Sequence, residues 1–118
     1  RQLVDKHKVD IRAFDSMTSL PLPNASHNPA ATQYFYKDVQ KGDERVFKRV
    51  GTVPARSRGI DGRALMIVFP DPGDMATKCL EAYVSASPEN DVFIYVGEGR
   101  GGANANDTLF DLLESGKW

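Results

Sequence analysis

Cysteine is almost missing from this chain of 118 residues: Cys79 is alone, so no disulfide can form within it. Histidine is scarce as well. His7 and His27 make up the whole complement, and His27 has no cysteine, carboxylate or second histidine at metal-ligand spacing. Charge of one sign is also lacking. With 15 basic and 16 acidic residues the net charge is -1, so no global field draws in nucleic acid or an anionic membrane. No apolar run approaches the ~20 residues that a bilayer crossing needs. A secretory signal is not visible either, since Arg1–Asp10 is charged throughout. The chain opens on Arg1, and the expectation is a processed chain or part of a longer polypeptide.

What is present is ordinary for a globular domain: 41% apolar and 26% charged residues. The length sets one domain, 1–118, as the expected limit. The informative stretch is Arg63–Leu113. Ala64–Phe69 and Val92–Val96 are short apolar runs rich in β-branched and aromatic residues, the pattern of strands buried on both faces. Between them Met75, Cys79, Leu80, Tyr83 and Val84 recur on one helical face. Strand, helix and strand predict a βαβ unit with the two strands parallel and the crossover right-handed. Cys79 falls on the apolar helix face and reads as a small buried hydrophobe.

Upstream, Arg1–Lys8 reads as the last turns of a helix with Leu3 and Val4 inward, and His7 exposed. Val9–Phe14 reads as a short strand ending on Asp15-Ser16. Met17–Thr32 is a loop, because its three prolines fix φ and remove amide donors. Gln33–Val39 predicts a strand, and Gln40–Asp43 a turn. Tyr34, Phe35 and Tyr36 pack as strand residues in preference to a base-stacking platform, because no basic groove accompanies them. Glu44–Val50 predicts one or two helical turns. Thr52–Gly62 is a second loop. Near it Lys48, Arg49, Arg56, Arg58 and Arg63 form a basic cluster, read as a solvated face, with docking of an acidic partner or RNA as the weaker alternative. Downstream, Asn106 or Asp107 caps a last helix faced by Leu109, Phe110, Leu112 and Leu113, and Gly116 ends it.

Two loops invite chemistry. Gly97–Gly102 satisfies G-x-G-x-x-G after a strand and before a helix, which in dinucleotide sites brings bare amides to a pyrophosphate. Here the helix begins late and Glu98 brings a carboxylate into the cradle, so a glycine loop needed for unusual backbone angles is the better reading. Phe69-Pro-Asp-Pro-Gly73 follows a strand at its carboxyl end, where ligands settle in open α/β sheets. A plain strand-to-helix turn, capped by Asp74, competes evenly. No catalytic triad, metal cluster or Walker-type loop is present.

Four blocks of the sequence, IRAFDS (11–16), KDVQKGD (37–43), RALMIVFPDPGDMATKCLEAY (63–83) and DVFIYVGEGRGGANANDTLFDLL (91–113), together resemble the middle of a group of methyltransferase-like proteins. Ile94–Leu113 is the most specific part. The resemblance implies the S-adenosylmethionine-dependent methyltransferase fold: α/β, Rossmann-like, a mostly parallel sheet flanked by helices, here incomplete at both ends. It implies that Asp15, ending the second strand of that fold, holds the ribose hydroxyls, and that Gly42-Asp43 contacts adenine. It implies further that Phe69, Pro70 and Asp71 flank the methyl donor and substrate. The cofactor loop after the first strand would lie before Arg1, and closing strands would follow the last helix. The chain alone is therefore expected to take no cofactor, S-adenosylmethionine being implied only for a complete active domain. Two functional readings follow. The favoured one is a non-catalytic methyltransferase-like domain serving as an interaction subunit, with protein partners over its open sheet edges. The other is a portion of a working methyltransferase.

Overall fold

The structure, a computed structural model, describes residues 6–15, 38–47 and 61–116. The chain forms two compact units, Arg1–Asp43 and Glu44–Trp118.

In the first unit Lys6 and His7 are helical and exposed. Lys8 turns to a φ of 57°, a left-handed residue of the kind that closes a helix. Two short strands follow, β1 (Phe14–Asp15) and β2 (Gln40–Lys41), paired in parallel with Phe14 opposite Gln40 and Asp15 opposite Lys41. The ladder runs from the Gln40 amide, donating to the Ala13 carbonyl at 2.9 Å, to the Gly42 amide, donating to the Asp15 carbonyl at 2.9 Å. This corrects the sequence expectation twice. The first strand is shorter than Val9–Phe14 and slips onto Asp15. The second lies on Gln40–Lys41, in the expected turn, while 33–37 of the expected strand fall outside the described residues. Apolar side chains marked the expected strands, but pairing is made by backbone groups, and these meet only where the two chains run side by side.

The second unit begins with one turn of 3-10 helix, Glu44–Phe47, where helical turns were expected. Then come β3 (Leu65–Val68), α1 (Met75–Ala86), β4 (Phe93–Val96) and α2 (Asp107–Glu114). β3 and β4 pair in parallel, with Leu65 opposite Phe93 and Val68 opposite Val96. The strand–helix–parallel strand unit read from the sequence is thus present. α1 buries Ala76, Cys79, Leu80, Tyr83 and Ala86. With Ile67, Ala105 and Leu109 these make the core, and Leu65, Phe93, Tyr95, Val84 and Leu112 pack against it. Cys79 is buried as expected. Gly116 ends α2 region at a φ of 65°, a conformation that glycine adopts without cost.

One expectation fails. β3 and β4 are not buried on both faces. Leu65, Ile67, Phe93 and Tyr95 turn toward the helices, whereas Met66 (51% exposed), Val68 (52%), Ile94 (39%) and Val96 (40%) face outward. A strand points successive side chains to opposite faces, and α1 and α2 cover one face. An unbroken apolar run carries no alternation, so the sequence could not indicate which face would be left open.

The entry to both strands is held by one hydroxyl. Tyr83 is 2% exposed. Its Oη donates toward the Arg63 carbonyl at 2.6 Å and lies 3.0 Å from the Val92 carbonyl, and it accepts from the Val92 amide at 3.3 Å. Asn90, also buried, completes the bracket: its Nδ2 donates to the Tyr83 carbonyl at 2.7 Å and its Oδ1 accepts from the Gly62 amide at 2.9 Å. Phe47 meets the Tyr83 ring edge-on at 6.0 Å. Removing the hydroxyl leaves buried backbone groups unsatisfied, at ~1–3 kcal/mol. Tyr83→Phe should therefore lower unfolding stability by about that amount in a urea titration, with secondary structure unchanged.

Burial raises the Tyr83 phenol above its ordinary value. A raised phenol contributes stability that is complete below the unfolded value, about 10, and is lost as pH rises through the folded one. Stability should accordingly fall in alkali above about pH 10, and the fall should be shallower in Tyr83→Phe.

Candidate functional site

The residues singled out for ligand binding lie at the carboxyl ends of the two parallel strand pairs. In open α/β sheets that end is where ligands collect, because strands stop there and loops diverge.

In the first unit, Asp15 ends β1 and Gly42-Asp43 follow β2 directly. The parallel register sets them side by side, and the Gly42 amide is bonded to the Asp15 carbonyl. Asp15 is exposed and Asp43 half-buried. The two acids lie 28 residues apart in the sequence; strand pairing brings their backbones together. Ionised carboxylates are acceptors only, so this edge suits a ligand rich in hydroxyl or amino donors.

In the second unit, Phe69, Pro70 and Asp71 leave β3. The Phe69 amide continues the ladder to the Val96 carbonyl at 2.7 Å. Its backbone then turns to a φ of 44°, an uncommon conformation for a bulky side chain, and its ring is 65% exposed. Pro70 is buried and Asp71 exposed. The Pro70 carbonyl accepts from the Ala105 amide at 3.3 Å and from Asn104 Nδ2 at 3.2 Å. Pro72 and Ala105 form a parallel bridge, and the Gly73 amide reaches the Ala105 carbonyl at 3.4 Å. The exits of β3 and β4 are therefore tied together, and the starts of α1 and α2 are tied with them. Ala105 makes this junction at a φ of 58° while 5% exposed.

The glycine loop is closed on itself. Glu98 Oε2 accepts a very short hydrogen bond from the Ala103 amide, and the Glu98 amide donates to Asn104 Oδ1 at 3.2 Å. The Gly102 amide donates to the Gly99 carbonyl at 2.9 Å, and Tyr95 Oη donates to the Glu98 carbonyl at 2.9 Å. The carboxylate seated in this loop is thus the chain's own. A pyrophosphate in the same place would meet amides already used and a like charge. Arg100 braces the loop on α2: it lies 2.8 Å from Asp111, 3.2 Å from Glu114 and 3.9 Å from Asp107, with its guanidinium over the Phe110 ring at 5.8 Å. Hydrogen bonding to Asp111, and next to Glu114, raises the Arg100 pKa. The cluster is exposed, so its energetic weight is small.

The helix starts carry their expected capping positions but not the capping bonds. Asp74 and Asn106 are the N-caps of α1 and α2, and neither side chain bonds a first-turn amide. Asp74 instead pairs with Lys78 at 2.8 Å. That hydrogen bond lowers the Asp74 pKa and raises that of Lys78.

Of the arginine cluster, Arg63 is among the described residues, half-buried, with its carbonyl taken by Tyr83; Arg49, Arg56 and Arg58 fall outside them, as do His27 and Tyr34–Tyr36. Among the described residues no group of three or more histidine, cysteine, aspartate or glutamate side chains is placed to hold a metal ion. No helix among them is long and apolar enough to cross a membrane. Sequence reasoning missed Asn104, Ala105 and the Tyr83 hydroxyl, whose roles depend on partners far along the chain. No protein-family model, curated protein or solved structure matches this chain.

The closed loop has a measurable signature. A Cβ on Gly102 would stand 2.4 Å from Glu98 Cβ and 2.9 Å from the Gly99 carbonyl, whereas one on Gly99 meets nothing within 4 Å. Gly102→Ala should cost ~1–3 kcal/mol in chemical denaturation, and Gly99→Ala less than ~0.5 kcal/mol. Equal effects would mean that Glu98 does not sit against Gly102.

Proposed function

We propose that this chain is a methyltransferase-like α/β domain that does not catalyse by itself and serves as a structural, interaction subunit of a larger assembly. The observation that carries this reading is the sheet face left open by α1 and α2. Parallel strands are found with both faces covered, because each face is apolar. Met66, Val68, Ile94 and Val96 are such a face, and they stand in solvent. A second layer supplied from elsewhere accounts for them. The parallel β3–α1–β4 unit supports the Rossmann-like methyltransferase kinship in its general form, a crossover between parallel strands with both exits at one end.

A second reading, part of an active S-adenosylmethionine-dependent enzyme, is favoured by two specific observations. Asp15 lies beside Gly42-Asp43 across a parallel pair, in the order the resemblance requires. There the Asp15 carboxylate would take the two ribose hydroxyls and Asp43 the adenine edge. Phe69 holds a strained backbone and an exposed ring at the exit of β3. Strain of this kind persists where surrounding structure enforces it and collects at ligand sites.

Isothermal titration of S-adenosylmethionine into the chain separates the two. No binding is expected at up to ~1 mM, the weak end of ordinary substrate affinities. Micromolar binding that Asp15→Ala removes would replace the first reading with the second. Micromolar binding that Asp15→Ala leaves unchanged would discard both the first reading and the Asp15 assignment.

A further inference from the structure

We propose that Asp61-Gly62 is a latent site of aspartate isomerisation, held shut in the folded chain by the side chain of Asn90. Succinimide chemistry needs an aspartyl carboxyl, the next backbone nitrogen, and little bulk on the residue that carries it. Glycine, with no Cβ, offers the least hindrance. The chain has one Asp-Gly step, at 61–62, and no Asn-Gly. The fold itself asks for this glycine. Gly62 stands at a φ of 68° in the turn before β3, where a side chain would strain the backbone.

The two reacting groups are held very differently. Asp61 Oδ1 is buried and accepts no hydrogen bond, a costly state for a carboxyl oxygen. The Gly62 nitrogen, by contrast, is clamped. Its N–H donates to Asn90 Oδ1 at 2.9 Å. Asn90 is 4% exposed, and its Nδ2 donates to the Tyr83 carbonyl at 2.7 Å. Attack asks the nitrogen to give up its proton and to turn its face to Asp61 Cγ. Each of these breaks the bond to Asn90.

The reaction balances without a co-reactant. The Gly62 nitrogen bonds to Asp61 Cγ and one Cγ–O bond breaks. That oxygen leaves as water, taking the amide proton and the carboxyl proton. Water then adds back to the cyclic imide. Addition at Cγ restores aspartate. Addition at the Asp61 main-chain carbonyl leaves the peptide link on Cγ, an isoaspartyl residue with one more carbon in the main chain. The extra atom falls at the entry of β3. Arg63 gives its carbonyl to the Tyr83 hydroxyl at 2.6 Å, and the Leu65 amide donates to the Val92 carbonyl at 2.9 Å. A longer main chain just before these bonds puts the Gly62–Asn90 and Arg63–Tyr83 contacts in conflict. Transient opening around Asn90 is thereby converted into lasting damage to the strand entry.

The test ages the whole chain in neutral buffer at physiological temperature, native and in urea. Peptide mapping by electron-transfer mass spectrometry separates aspartyl from isoaspartyl at residue 61. The native chain should form isoaspartate about tenfold more slowly than the urea-unfolded chain, the factor that one hydrogen bond of ordinary net worth supplies. Asn90→Ala, if folded by circular dichroism, should recover most of that factor. A folded Asn90→Ala that ages at the wild-type rate would overturn the proposal, as would native and unfolded wild type ageing alike. Should Asn90→Ala not fold, wild type in sub-denaturing urea decides the matter. There isoaspartate formation and hydrogen exchange at the Gly62 amide should rise in parallel, and exchange that rises without isomerisation would sink the idea. Isoaspartate absent even from the unfolded chain would remove the site altogether.

Discussion

The second unit depends on a buried phenol. Two parallel strands must enter the sheet side by side, and their entry points are almost thirty residues apart in sequence, Arg63 and Val92. Backbone ladders close only once the ends are held. The Tyr83 hydroxyl holds them, reaching the carbonyl of each entry point and accepting the Val92 amide. Its ring meanwhile fills the core between α1 and the sheet. One side chain thereby joins the apolar burial that drives the fold to the polar contacts that give it register. Asn90, just beyond the same end of α1, repeats the arrangement with both halves of its amide satisfied. Buried polar groups of this kind are costly when unpaired and specifying when paired.

Once the entries are fixed, the exits follow. β3 and β4 run the same way, so Phe69 and Gly97 emerge at one edge, and the chain ties them there through Pro70, Asn104 and Ala105. Two of the residues at this edge, Phe69 and Ala105, accept left-handed backbone without being glycine. The cost is ~1–2 kcal/mol each, set against core burial worth ~1.5–3 kcal/mol for each fully buried large apolar side chain such as Leu80 or Leu109. Burial therefore outweighs the strain. The glycine loop spends its conformational freedom inward, on Glu98, and not on a ligand.

Much of the second unit was legible in the residues. The apolar runs gave β3 and β4, and helical spacing gave α1. Crossover rules then gave the parallel arrangement, because a strand, a helix and a strand of these lengths have few other ways to pack. Gly116 and the buried thiol of Cys79 were read correctly for local reasons, the one conformational and the other its place on a helical face. The first unit was less legible. Phe14–Asp15 and Gln40–Lys41 carry no periodic signal, and β2 is made of polar residues in a stretch that reads as a turn. Its existence is a matter of pairing with β1, which no local pattern encodes.

The sequence by itself determined the element types of the second unit and the core face of α1. Each depends on side chains a few residues apart, and short-range spacing is what a linear string records. Tertiary structure decided that Asp15 adjoins Gly42-Asp43, that Glu98 closes the glycine loop, and that one face of β3–β4 stays open. Those outcomes depend on contacts between residues distant in the chain. An apolar run presents the same letters whether one of its faces is covered or both.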